Sequence, residues 1–126
     1  MVTRMKPPPE HVMSECRSVS DTLSRIGDKW SVLVVVHLGE GPQRFGELQR
    51  GIGNISQKML SATVRGLERD GYLTRTVTPV IPPRVDYELT DLGRELLEPI
   101  RGVEAFARRN QGRIEAARAR FDARAG

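Results

Sequence analysis

The chain has 126 residues with a net charge of +4, and 29% are charged but only 5% aromatic, which suits one domain with a modest core. The basic excess fits a polyanion, and the scarcity of aromatic rings disfavours a binder of single strands, so duplex DNA is the favoured nucleic acid. One cysteine excludes an intramolecular disulfide, and no apolar run approaches the ~20 residues of a membrane span, so we expect a cytoplasmic protein that does not enter membranes.

The N-terminal segment, residues 1–14, contains three consecutive prolines and lacks the apolar stretch of a signal peptide. We therefore expect a flexible, extended arm. A first helix is predicted over residues 18–26, where Val19, Leu23 and Ile26 have the spacing of one buried stripe.

The next segment, Lys29 to Leu38, is apolar on nearly all sides, which is typical of a central core helix. Its four valines would also suit a buried strand. The N-cap residue Asp28 and a length of about ten residues favour the helix. A short strand over residues 43–45 and a short helix over residues 46–51 are predicted to follow.

A fourth helix is predicted from the N-cap Ser56 to about Asp70, where a glycine ends it. Leu60, Val64 and Leu67 fall within about 60° of one another around the helix and form an apolar stripe. The rest of its surface combines cations with small side chains, which suits a DNA major groove. This outer face consists of Lys58, Ser61, Ala62, Arg65 and Arg69.

The first turn of this helix adds two candidates, because helix N-terminal amides near Ser56 favour a phosphate and Gln57 could contact adenine or phosphate. A solvated helix face also carries Lys and Arg without any DNA role. A predicted β-hairpin (residues 72–78 and 84–89) favours the DNA interpretation, because a hairpin beside such a helix can contact the backbone or minor groove.

A long last helix is predicted after the N-cap Thr90, with a kink or restart at Pro99. The C-terminal tail, residues 112–126, is rich in Arg and Ala. Its arginines could contact DNA, or they could be the solvated side of an interface helix whose Ile114 and Phe121 pack on a partner.

Five motifs together resemble a known family: GDKW, GPQRFGEL, ISQKML, PPRVDYELT and LGRELLEP. They are similar to those of the HxlR-type transcriptional regulators, bacterial winged-helix proteins related in fold to the MarR type. The resemblance covers roughly Cys16 to Phe106. It implies an α+β fold, mainly α with a small β-sheet, in which a winged helix-turn-helix carries N- and C-terminal dimerisation helices over residues 15–111.

The resemblance further implies a homodimeric DNA-binding regulator. We expect it to bind a pseudo-palindromic operator in double-stranded DNA and to act as a repressor, while activation stays open as the alternative. The recognition helix would begin at SQKML, and the hairpin closed by PPRV would be the wing. The DNA contacts implied by position are Ser56, Gln57, Lys58, Ser61, Arg65 and Arg84, with Arg44 as a further candidate. The alternative is a winged-helix protein-interaction module without direct DNA binding.

The chain departs from the family pattern at three positions of the fourth helix. Ala62 stands where a larger polar residue is usual, and Thr63 stands where arginine is frequent. Gly66 replaces a helix former, at a cost of about 1 kcal/mol relative to alanine. These departures put the operator sequence in doubt, and Gly66 could instead permit close packing.

Two interpretations of Cys16 stay open. The resemblance implies a thiol sensor of oxidants or electrophiles, which the start of the first helix or the neighbouring Arg17 could activate. The other interpretation is a small inert residue packed at a dimer contact. The effector, which could also be a small ligand, is therefore unknown.

No pattern in the sequence indicates catalysis or metal binding. His11 and His37 have no ligand-spaced partners, and there is no nucleophile–base pair, glycine-rich phosphate loop or paired carboxylate site. We therefore expect no metal, no cofactor and a protein that is not an enzyme.

Overall fold

The computed structural model describes the backbone of residues 10–125 and the side chains of residues 15–125. The predicted arm over residues 1–9 and the side chain of His11 lie outside this part. The elements within it are α1 (Glu10–Gly27), α2 (Lys29–Leu38), β1 (Gln43–Arg44), α3 (Phe45–Ile52), α4 (Gln57–Arg69), β2 (Leu73–Thr78), β3 (Arg84–Leu89) and α5 (Asp91–Ala125). The mainly helical fold with a small sheet is thus confirmed.

The central segment α2 is a helix and not the alternative strand. Its N-cap Asp28 accepts the backbone N–H of Trp30 at 3.4 Å and the hydroxyl of Ser31. Val34 and Val35 in its middle are fully buried. Local capping therefore starts the helix, and burial on several sides stabilises it despite its β-branched residues.

One hydrophobic cluster fills the interior between the helices and the sheet. It receives side chains from α2, α3, α4, both long strands and the beginning of α5. Its buried members are Val34, Val35, Leu38, Leu48, Ile55, Leu60, Val64, Leu67, Leu73, Tyr87, Leu89, Leu96, Leu97 and Ile100.

The sheet has three antiparallel strands in the order β1-β3-β2. The predicted hairpin is confirmed, and its register pairs Leu73 with Leu89 at the base and Thr78 with Arg84 near the tip. Directly opposite residues share a sheet face, so Arg75 lies on the same face as its partner Tyr87, which belongs to the core. That face is the one turned towards the helices.

Helix α1 differs from its prediction at both its start and its packing. It begins at Glu10 and not at residue 18, so residues 10–14, predicted as part of the flexible arm, are helical instead. Residues 10–17 contain no glycine or proline that would stop a helix, whereas apolar periodicity begins only at residue 19. Val19 and Leu23 are 58% and 60% exposed, so their predicted burial is wrong within one chain.

Helix α5 runs without interruption from Asp91 to Ala125, so the restart predicted at Pro99 is absent. Proline removes one N–H from the helix, and here both Pro99 and Glu95 are exposed, so water can reach the freed carbonyl of Glu95. The tail predicted over residues 112–126 is helical through Ala125 and belongs to the same helix. Beyond Ile100 the described part of α5 is almost entirely exposed.

The start of α5 is joined closely to the base of the hairpin. Thr90 is the predicted N-cap: its hydroxyl accepts the N–H of Gly93 at 3.1 Å and donates to the carbonyl of Gly71 at 2.6 Å. The N–H of Thr90 also donates to the carbonyl of Tyr72 at 3.1 Å. A Cβ on Gly93 would overlap that Tyr72 carbonyl oxygen, so only glycine permits this approach.

We predict that Gly93→Ala lowers the free energy of unfolding by about 2 to 4 kcal/mol, because a rigid backbone carbonyl must move to make room for the methyl group. Chemical denaturation followed by circular dichroism measures this. Gly112→Ala is the matched control, since a Cβ there meets nothing within 4 Å and replaces a helical glycine. Equal stability of the two variants would contradict the prediction.

Candidate nucleic-acid interface

Helix α4 is anchored on one side and capped at its start. Leu60, Val64 and Leu67 are at most 2% exposed, as the apolar stripe predicts, and the helix packs against α2. Ser56 is the N-cap, and its hydroxyl accepts the N–H of Met59 at 3.1 Å. Burial of the stripe fixes the rotation of the helix about its axis, so the opposite side must face solvent.

The predicted outer face of α4 is accessible. Lys58, Ala62, Arg65 and Arg69 are exposed, and Ser61 is half-buried. Among the side chains of residues 15–125, no carboxylate lies within 4.0 Å of Lys58 or Arg65. Both charges are therefore available to a polyanion.

A groove separates α4 from the sheet. The predicted residues Gln57, Ser61 and Arg65 line its helix side, and Arg75 of β2 lines its sheet side together with Tyr87. Phe45 and Val85 form apolar parts of its wall, and Glu68 contributes one acidic group. The groove is thus bordered by two arginines from different elements.

Arg75 was missed by the sequence reasoning. The alternation along β2 contained the signal, because Leu73 is a core residue and the residue two positions further on shares its sheet face. Its approach to α4 could not be predicted, because it depends on how the helix packs on the sheet.

A second group of cations lies at the other side of the sheet. Arg44, predicted from the resemblance, and Arg84, the predicted wing residue, line one recess with Arg50 and Glu47. Arg84 lies opposite Thr78 and its Nε donates to Asp86 at 3.0 Å. Arg50 was also missed, because its proximity to the hairpin arises only when β1 pairs with β3.

Arg44 itself occupies the N-cap position of α3, where its backbone N–H donates to Glu47 Oε1 at 2.9 Å. Its side chain is exposed beside the hairpin. The tip of the hairpin is apolar and projects into solvent, since Ile81 is fully exposed and Val80 is 49% exposed. Three prolines, Pro79, Pro82 and Pro83, restrict the backbone around these two residues.

Cys16 is exposed but is not where the sequence predicted. Because α1 begins at Glu10, the thiol lies inside the helix and not ahead of it. The thiol therefore lies beyond the first turn, the part of a helix on which its N-terminus mainly acts. Glu15 and Arg17 flank it in sequence with opposite charges.

Other kinds of site have no support in the described part of the chain. No group of three or more metal-ligating side chains occurs there. No helix within residues 10–125 is long and apolar enough to cross a membrane.

A family model described as an HxlR-like helix-turn-helix matches residues 25–115. The match contains α2 to α4, the whole sheet and most of α5. The chain belongs to the HxlR-like helix-turn-helix family. The resemblance inferred from its motifs is therefore confirmed.

Other HxlR-like and MarR-like proteins are similar along most of their length. The HTH-type transcriptional regulator YtfH of Escherichia coli (strain K12) is 39% identical over 98 residues, which cover 78% of each chain. A solved structure of YtfH from Salmonella typhimurium is 35% identical with a TM-score of 0.70, covering 80% of this chain and 90% of that one.

The redox regulator HypR in its reduced form is 35% identical with a TM-score of 0.72, covering 79% of this chain and 98% of that one. These likenesses confirm the winged-helix fold. This HxlR-like chain is therefore a transcriptional regulator of the helix-turn-helix type, and its family is not one of enzymes.

Proposed function

We propose that this regulator binds a specific double-stranded DNA site as a homodimer and acts as a repressor by occupying its operator. The observation that carries the proposal is the exposed face of α4, where Lys58 and Arg65 have no described acidic partner and the buried stripe holds them outward. Affinity would come mainly from phosphate contacts, so binding should weaken steeply as salt is raised.

The groove between α4 and the sheet suggests how the duplex lies. In B-DNA a sugar-phosphate strand separates each major groove from the neighbouring minor groove. If α4 occupies the major groove and the hairpin reaches the minor groove, that strand passes through this groove. Arg65 and Arg75 on its two walls would then neutralise the same strand.

The hairpin would act as the wing. Arg84 near its tip provides a cation for the backbone or minor groove, and Asp86 holds the Nε of its guanidinium. The exposed Ile81 is an apolar residue of the kind that packs against minor-groove walls. Arg44 and Arg50 beside the hairpin would add nonspecific phosphate contacts.

A second copy of the chain would cover the apolar surface that one copy leaves in water. On α5, Val103 and Phe106 are more than half exposed, and Ile114 and Phe121 continue the same side of the helix. Isolated exposed apolar residues are ordinary, but a stripe along one helix is typical of an interface. Binding to a pseudo-palindrome requires the two α4 helices of the dimer to lie about 34 Å apart, one turn of the DNA helix.

The competing function is a protein-interaction module without DNA binding. Such a module would present an apolar surface on α4, whereas Met59 is the only large apolar residue of α4 that is exposed. Retention on heparin and on nonspecific duplex, lost as salt is raised, would support DNA binding over this alternative.

A response to oxidants or electrophiles is a second candidate function, favoured by the exposure of Cys16 on α1. HypR, a structural neighbour, is a redox regulator. Because α1 also carries the exposed Val19 and Leu23, a modified thiol could alter the contact between two copies. The inert interpretation of Cys16 predicts no such response.

We predict that Lys58→Ala and Arg65→Ala each weaken binding to the operator about tenfold and lower the slope of log K against log salt by about 1, because each removes a DNA contact. The operator is first obtained by selecting duplexes from a random pool with the unmodified protein. Fluorescence anisotropy then measures the affinities.

Arg109→Ala is the matched control for these two variants, since Arg109 is an exposed cation on α5 away from the apolar stripe. Unchanged affinity in both Lys58→Ala and Arg65→Ala would contradict the assigned DNA face. Failure of the unmodified protein to select any duplex would contradict DNA binding itself.

We predict that Phe106→Asp converts the dimer to a monomer, because it buries a charge at the proposed interface on α5. Analytical ultracentrifugation measures the change. Ala105→Asp is the matched control, since Ala105 is exposed about 100° away around the same helix. A monomeric unmodified protein, or a dimer that persists in Phe106→Asp, would refute this interface.

We predict that peroxide or a quinone changes the affinity of the unmodified protein for its operator and leaves Cys16→Ser unaffected, because Cys16 is the sole thiol of the chain. Anisotropy before and after treatment, followed by reduction, measures the response. An equal response of the two proteins would favour the inert interpretation.

A further inference from the structure

The last turn of α1 is tied to the end of α4 by an ion pair. Nε of Arg25 donates to Oδ2 of Asp70 at 2.7 Å, and both side chains are about one-quarter to one-third exposed. The two residues lie 45 positions apart in sequence. The contact therefore joins an N-terminal helix directly to the helix that we propose inserts into DNA.

Gly66 leaves the space that the guanidinium of Arg25 occupies beside α4. An ideal Cβ on Gly66 would lie 2.9 Å from Nη2, 3.1 Å from Nη1 and 3.3 Å from Cζ of Arg25. The guanidinium thus lies against the backbone of α4, in space that every other residue type would occupy in part. The close packing that the sequence left open for Gly66 is what this glycine permits here.

Asp70 stands at an electrostatically unfavourable position. It is the C-cap of α4, where the helix dipole disfavours a negative charge. Arg69 approaches it only to 4.0 Å and is 87% exposed, so its contribution is weak. Asp21 lines the recess between α1 and the end of α4, but Arg25 binds Asp70 and not Asp21. Arg25 is therefore the main compensating charge for the end of α4.

We propose that Arg25 is a positioning residue that holds α4 at a set orientation relative to α1. We call Arg25, Gly66 and Asp70 the clamp. The opposite part of α1 carries Val19 and Leu23, which are exposed and free to meet a second copy. The clamp then couples the position of α1 in the dimer to the position of α4. In this way it sets the spacing and angle of the two DNA-binding helices.

This inference rests on the proposed function. It predicts a loss of DNA discrimination that a change in the stability of the fold would not by itself produce. Loss of the clamp lowers discrimination between operator and other DNA, because discrimination needs both α4 helices in register with their half-sites. Nonspecific binding depends on the charged surface and changes little. The probes are the best duplex selected from a random pool by the unmodified protein and a shuffled duplex of equal length.

The first test is Gly66→Ala. The added methyl group displaces a flexible side-chain end, while alanine favours the helix, so the Tm stays level or rises by about 3 to 5 °C. We expect operator affinity to fall about fivefold or more, with less than a twofold change on the shuffled duplex. Gly112→Ala is the matched control, with a similar Tm effect and no change on either duplex.

The second test is Asp70→Asn, which leaves the shape of the side chain and removes its charge. Electrostatics alone predicts tighter binding to both duplexes, since a negative charge is lost near the DNA face. The clamp predicts instead that the ratio of operator to shuffled affinity falls about fivefold. Arg25→Leu should lower the same ratio, and the double variant should lose no more than either single variant.

The outcomes separate the two levels of the proposal. If the unmodified protein selects no duplex, the proposed function fails and the clamp fails with it. If it selects a duplex and all three single variants keep the ratio within twofold, the clamp alone is overturned. A ratio that falls in Gly66→Ala and Asp70→Asn without a fall in Tm supports the clamp.

Discussion

The burial of one stripe on α4 is the constraint on which the rest of this molecule depends. Leu60, Val64 and Leu67 are removed from water by α2 and the sheet, and each such side chain contributes about 1.5 to 3 kcal/mol. With the stripe held, α4 cannot turn about its axis. Lys58 and Arg65 are therefore exposed because the apolar stripe on the opposite side of the helix is buried. Since both lie on a rigid helix, no loop has to be ordered for them to make contacts.

The two flanks of α4 have different partners, and this difference organises the remaining chain. One flank borders the sheet across the groove that contains Arg75. The other flank meets α1 through Arg25 and Asp70. The hairpin is joined to α5 in turn, through Thr90 and the close approach at Gly93. Helix α4, which we propose binds DNA, is thus joined directly to α1 and, through the sheet, to α5, and both of these helices leave apolar side chains in water.

This arrangement gives a physical route by which a change at the proposed dimer contact would reach the proposed DNA-binding face. Helices are stiff, and α1 meets α4 through a short ion pair against a glycine and not through a loop. A shift of α1 therefore moves a charge that the end of α4 needs. Cys16 lies on the same helix, so a thiol response, if the protein has one, would act on the element that carries Arg25.

The sequence by itself determined the elements whose causes are local. Capping by Asp28, Ser56 and Thr90, together with regular apolar spacing, was sufficient to place α2, α4, the hairpin and the start of α5. The outer face of α4 followed from the same periodicity, since a helix with one buried stripe has only one side left for solvent. Motifs spread along the chain were enough to identify the family.

Only the tertiary structure decided what depends on elements distant in sequence. The start of α1 was mispredicted because apolar periodicity begins only at residue 19, and the exposure of Val19 was mispredicted because periodicity marks an apolar stripe without showing that this chain buries it. Arg75 borders the groove only because the sheet packs beside α4. Gly66 appeared as a helix defect in the sequence, but in the fold it is a packing site for Arg25 of the distant helix α1. Local chemistry sets which elements form, and the packing between them sets which charges meet.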